Sequence, residues 1–139
     1  KYDPKKDFIY HPGESVSLTG ETGPYLQYSL VRSSRILEKA KRTSGKPDYS
    51  LFEEADMTLI RIIANFPGAV NKAKSQYQPS IVANYGLELV KSFNRFYEQS
   101  QVLNAEPNVR RARLKLVKSF NETLKKVMYL LAIPEVEQM

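Results

Sequence analysis

Apolar positions recur at intervals of three and four residues along most of the chain, the period of amphipathic helices rather than strands. Between Pro24 and Arg42, Leu26, Leu30 and Leu37 fall on one side and can face a core. Tyr25, Tyr28, Arg32, Arg35, Lys39 and Arg42 gather on the other, within an arc of roughly 100°. Pro24 suits a first helical turn, where its missing N–H costs nothing, and residues 43–47 form a loop. Ser50 with Glu53 reads as a capping box opening a second helix, with Phe52, Ala55, Leu59, Ile62, Ile63 and Phe66 at helical spacing. Phe66, Pro67 and Gly68 break it, and a short helix is expected over about 68–76. A longer helix is predicted from Pro79 to about Gln101, burying Val82, Tyr85, Leu89, Phe93 and Phe96. The turn 104–107 leads to a last long helix with Val109, Leu116, Phe120, Leu124, Val127 and Leu131 on one side, stopped by Ile133 and Pro134. The pattern predicts an all-α bundle of about five helices over residues 20–139. The stretch 1–19, rich in proline, glycine and charge, reads as a linker in which Phe8, Ile9 and Tyr10 could form a short strand.

A chain of 139 residues is one domain with room for a single hydrophobic core. It has no cysteine, which removes disulfides, thiolate metal sites and thiol nucleophiles. No apolar run approaches the ~18 residues of a membrane span, and no secretory signal is visible. The expectation is a soluble, cytoplasmic protein, and the start at Lys1 suggests a piece of a longer one. The net charge of +6 is unevenly spread. Residues 21–46 hold six cations against two anions and residues 110–126 seven against one, whereas the stretch between them is mildly acidic. Two basic segments suit a polyanion gripped by two elements, although a charge run also forms when a helix face is simply solvated.

Catalytic chemistry finds few candidates. The single histidine, His11, lies in the linker without metal-ligand partners. Glu53, Glu54 and Asp56 sit at a helix start, where capping and the helix dipole account for them. No phosphate-binding glycine loop, nucleophile elbow or zinc-protease string occurs. On the last helix Arg111, Lys115, Lys118, Lys125 and Lys126 share a face, where Glu122 can pair with Lys118, Lys125 or Lys126. That face is either a self-neutralising surface or a phosphate contact. Arg113 points to the apolar side, so a structural ion pair or a carbonyl contact is expected for it. Tyr25 and Tyr28 either pack their rings on the core with wet hydroxyls or stack on unpaired bases. Asn94 and Arg95 are either structural or in reach of phosphate.

Five strings point further. Gly-Glu-Thr-Gly-Pro-Tyr-Leu-Gln-Tyr runs from Gly20 to Tyr28, and Asp56 to Arg61 leads on to Asn65, Phe66 and Pro67. Then come Ser92 to Tyr97, Arg110 to Val117, and the ending Leu130 to Met139. In order and spacing the chain from about residue 7 to 139 resembles the C-terminal, DALR-type anticodon-binding domain of arginyl-tRNA synthetases, class I enzymes. The resemblance implies that Gly20, Tyr25 and Tyr28 lie against an anticodon loop, with Met139 near it. Tyr97 matches a family tyrosine, while Gln101 stands where some members carry an aromatic and could only hydrogen-bond. Arg32, Arg35 and Lys39 of the first helix, and Arg111, Lys115 and Lys118 of the last, would supply salt-sensitive phosphate contacts. The implied partners are arginine tRNAs and a catalytic domain of the same chain, in a monomer. That longer enzyme would use ATP and Mg²⁺, although the family's ATP-site signatures do not occur in these residues. The competing reading is a helical protein-interaction module with solvated basic faces, which predicts an acidic protein partner.

Overall fold

The computed structural model describes residues 20–40 and 46–138. Among them stand five helices and no strand: α1 (Gly23–Lys39), α2 (Glu54–Ala64), α3 (Phe66–Gln76), α4 (Ser80–Gln99) and α5 (Pro107–Leu130). The proposed linker 1–19 with Phe8 to Tyr10 and His11, together with Arg42 and Met139, lies outside the described residues.

Local chemistry sets the helix ends. The Thr22 hydroxyl accepts the Tyr25 N–H at 3.3 Å, and Pro24 occupies the first turn of α1 as expected. The start of α2 differs from the sequence reading. Ser50 donates both its N–H (2.9 Å) and its hydroxyl (2.7 Å) to the Asp48 carboxylate instead of capping a helix. The hydroxyl bond first, then the backbone bond, holds the Asp48 carboxyl below its usual range. The capping box lies three residues later: the Asp56 carboxylate accepts the Glu53 N–H at 2.9 Å, and the helix begins at Glu54, leaving Phe52 outside it. The third helix, by contrast, starts earlier than expected, at Phe66. Pro67 opens it from the first turn rather than only interrupting the helix before. Finally, α5 is closed before Pro134. Ala132, at φ 54°, lets the Ile133 N–H reach the Met128 carbonyl (2.9 Å) and its own N–H reach Tyr129 (3.1 Å), a Schellman ending.

Helix α4 is the central element and packs on all four others, while α1 lies chiefly along α5. Phe93 of α4 and Phe120 of α5 stack with ring centroids 3.8 Å apart and planes 7° from parallel, both fully buried. Gly86 permits that approach. A Cβ there would meet Val127 Cγ1 at 2.7 Å and Leu26 Cδ2 at 3.4 Å. The α1–α5 seam is lined by small polar side chains that satisfy one another. The Asn121 amide donates to Ser33 (2.9 Å) and Ser34 (3.0 Å), and the Ser29 and Ser33 hydroxyls donate to carbonyls one turn back, Tyr25 (3.1 Å) and Leu30 (2.8 Å).

Arg113 meets both expectations stated for it. Its Nε bonds Asp56 Oδ1 at 3.0 Å, Nη2 bonds Oδ2 at 3.2 Å, and Nη1 donates to the Gln101 carbonyl at 3.1 Å. One guanidinium thereby joins α5, the start of α2 and the segment just past α4. The Glu53 carboxylate adds a further contact at 3.5 Å.

Candidate nucleic-acid interface

The polar face of α1 comes together with one face of α4. Tyr25, Tyr28 and Arg32 follow at helical spacing on α1, and Asn94 and Tyr97, three apart, do so on α4. The Arg32 guanidinium lies 4.7 Å from the Tyr28 ring centre and 5.2 Å from that of Tyr97. Its Nη2 donates to the Tyr28 hydroxyl (2.9 Å) and its Nη1 to Asn94 Oδ1 (3.0 Å). Asn94 Nδ2 in turn donates to the Tyr25 hydroxyl at 2.8 Å. Three rings, one cation and one amide thus form a continuous polar chain on the surface of an apolar core.

The sequence-derived candidates divide into groups. Tyr25 packs its ring on the core, and its hydroxyl is held by Asn94 rather than by solvent alone. Tyr28 and Tyr97 give part of their ring surface to Arg32, and Tyr97 remains 44% exposed. Arg32 is already engaged. Arg35 and Lys39 are exposed and make no ion pair among the described residues. With Tyr28, Arg32, Tyr97 and Leu103 they line an open hollow of about 230 Å³. Gln101, just past the end of α4, borders an adjoining hollow that also touches Tyr97 and Ile36. Gly20 opens the turn into α1, its carbonyl accepting the Thr22 N–H at 3.0 Å, and an ion pair between Lys91 and Glu21 (2.7 Å) fastens that turn to α4.

The α5 candidates stand apart, because none of them lines the tyrosine hollow. Arg111 donates to the Lys46 carbonyl at 3.3 Å and bonds the Asn108 side chain, tying segment 46–48 to the start of α5. Lys118 pairs with Glu122 at 3.8 Å, one of the pairings the spacing allowed, and Lys125 pairs with Glu135 at 2.9 Å. Lys115 is exposed and makes no ion pair among the described residues.

A larger, mainly apolar hollow of about 630 Å³ lies between the start of α3 and the end of α5, lined by Phe66, Pro67, Val70, Tyr129 and Leu130. It shares no residue with the tyrosine cluster. Among the described residues no group of three or more His, Asp or Glu side chains gathers as a metal site, and the Glu53–Asp56 pair is committed to Arg113. The described residues therefore offer no carboxylate set for Mg²⁺. No helix among them is long and apolar enough to cross a membrane.

Sequence reasoning left Asn94 between two roles and did not join Tyr97 to Arg32. The signal available was the helical spacing of Asn94 and Tyr97. Their meeting with α1 depends on how α4 packs.

The architecture is that of a synthetase-type helical domain. The structure matches Thermus thermophilus arginyl-tRNA synthetase with a TM-score of 0.91 at 35% identity, over 99% of this chain and 24% of that one. The chain belongs to the DALR anticodon binding domain family, whose model matches residues 26–139. It is 38% identical to the arginine–tRNA ligase of Clostridium botulinum strain 657 over all of its length, and 40% identical to that of Halothermothrix orenii over 96%. The chain spans about a quarter of the length of these curated relatives, 25% and 24%.

Proposed function

We infer that this chain recognises the anticodon stem and loop of arginine tRNA, as one domain of an arginine–tRNA ligase. The observation that carries the reading is the tyrosine–arginine cluster of α1 and α4, in a chain of an anticodon-binding family. Loop bases are unstacked and seek aromatic platforms beside cations. In this reading the open parts of Tyr28 and Tyr97 and the edge of Tyr25 meet bases, Gly20 lets backbone approach a nucleotide, and Gln101 contributes a hydrogen bond. Arg35 and Lys39 meet phosphates, with Arg32 holding the rings between them. On α5, Lys115 is the open cation for the stem, Lys118 shares itself with Glu122, and Arg111 acts by fixing segment 46–48. Met139 approaches the loop by analogy with the family ending.

The longer protein would join arginine to its tRNA using ATP and Mg²⁺ held elsewhere in the chain. Residues 1–19 would lead from that catalytic domain into the helical domain of 20–139. A cytoplasmic monomer completes the proposal.

The test is a titration of this chain against the anticodon stem-loop of arginine tRNA, a loop-substituted version and an unrelated stem-loop, across a salt series. Preference for the arginine loop, erased by Tyr28→Ala while salt-dependent binding remains, supports the reading. Equal binding of all three RNAs with one steep salt slope overturns it, because only phosphates would then be read.

A further inference from the structure

We propose that Asn94 is a positioning residue that sets the tyrosine–arginine cluster in place before RNA arrives. The inference rests on the anticodon-loop reading above and concerns how that site obtains its shape.

The polarity of the contacts is fixed by chemistry. An arginine guanidinium only donates, so the side-chain oxygen of Asn94 must face Arg32, and its amide N–H is thereby aimed at the Tyr25 hydroxyl. Both distances, 3.0 and 2.8 Å, are ordinary hydrogen bonds. From α4, Asn94 bonds polar atoms of two cluster residues on α1, Arg32 and Tyr25. The residue before it, Phe93, is locked by its stack on Phe120, so the amide projects from a rigid point. Arg32 gains a second anchor at Tyr28 and lies against Tyr97 as well. A guanidinium with those contacts is a wedge between two rings; without Asn94 it is a long flexible side chain able to leave them for a phosphate.

Ordering of side chains at binding opposes affinity, and a site already ordered avoids that loss. Asn94 therefore acts on the margin between right and wrong loops rather than on general attraction to RNA. It is uncharged, so its removal leaves the number of neutralised phosphates unchanged.

Two substitutions separate this from a general structural role. Asn94→Leu keeps the approximate size and removes both bonds. Asn94→Asp keeps an acceptor for Arg32 and accepts the Tyr25 hydroxyl proton, which can rotate to meet it. Each is titrated with the arginine anticodon stem-loop and its loop-substituted version across a salt series. Rotation of the Arg32 guanidinium is followed by NMR in the protein without RNA.

The expected result is that Asn94→Leu narrows the preference for the arginine loop by roughly tenfold with an unchanged salt slope. Its Arg32 guanidinium also rotates faster than in the parent chain. Asn94→Asp retains the preference while binding both RNAs more weakly, because it adds a negative charge. Should Asn94→Leu keep both the preference and slow rotation, Asn94 positions nothing and the inference is overturned. If the parent chain shows no loop preference, the anticodon reading fails, and the rotation measurement alone decides the role of Asn94. Slow rotation lost in Asn94→Leu supports it, and rotation unchanged overturns it.

Discussion

Arg113 on α5 and Asp56 near the start of α2 form a buried two-bond ion pair, Nε to Oδ1 at 3.0 Å and Nη2 to Oδ2 at 3.2 Å, with side chains 8% and 0% exposed. The same carboxylate completes the α2 capping box through the Glu53 N–H. Fold and local helix start therefore depend on one acid. Removing Arg113 leaves Asp56 buried without a countercharge, and removing Asp56 leaves the buried Arg113 only the longer Glu53 contact at 3.5 Å. Arg113→Met and Asp56→Leu are each expected to cost about 3–5 kcal/mol. The double substitution is expected to recover much of that, since an apolar pair carries no orphaned charge. Urea unfolding of the four chains checks both expectations.

Gly86 sits where α4 comes nearest to α5 and α1. Alanine is the better helix former, so helix propensity alone predicts a gain. The opposite is expected here, because the new Cβ would lie 2.7 Å from Val127 Cγ1, a stiff branched side chain. Gly86→Ala should lose about 1–3 kcal/mol in the same unfolding measurement.

Tyr85 provides a pH dependence. Burial first, and the nearby Glu88 charge second, push its hydroxyl up to about 12 from the ordinary 10, while that hydroxyl donates to the Ile62 carbonyl at 2.9 Å. The folded chain thus keeps the proton over a range in which the unfolded chain has lost it. The contribution is complete below about pH 10 and falls as pH rises from there toward 12. Tyr85→Phe is expected to flatten the decline in stability across that interval, as read by unfolding at stepped pH.

Arg35 and Lys39 are assigned phosphate contacts, and each makes a separate prediction. Arg35→Gln and Lys39→Gln should each reduce the slope of log affinity against log salt by about 0.7–1, the yield of one neutralised phosphate. Preference between the arginine loop and its substituted version should stay as it was. Tyr28→Ala should do the reverse, changing preference with the slope preserved. A titration series at four salt concentrations reads both quantities at once.

The helices themselves were legible in the chain, because a 3.6-residue period is a local property that needs no knowledge of neighbours. Leu26, Leu30, Leu89, Phe93, Phe120 and Leu124 were assigned to the core by spacing, and all are buried. The opposite face of α1, with Tyr25, Tyr28, Arg32, Arg35 and Lys39, could be drawn on the same grounds. Local rules became ambiguous where two strings satisfied the same motif. Ser50 with Glu53 and Glu53 with Asp56 both have capping spacing, and the second is the one formed, with Asp56 held by Arg113 57 residues away while Asp48 engages Ser50.

The sequence by itself determined where the helices lie to within a few residues, which face of each is apolar, and that Arg113 needed a partner. Only the tertiary structure decided that the partner was Asp56, that Asn94 joins Tyr25 to Arg32, and that Tyr97 closes over the same guanidinium. The reason is physical. Helical period and capping act within a few residues, whereas a buried charge or a shared side chain finds its partner only when the Phe93–Phe120 stack and the gap at Gly86 have fixed how the helices lie.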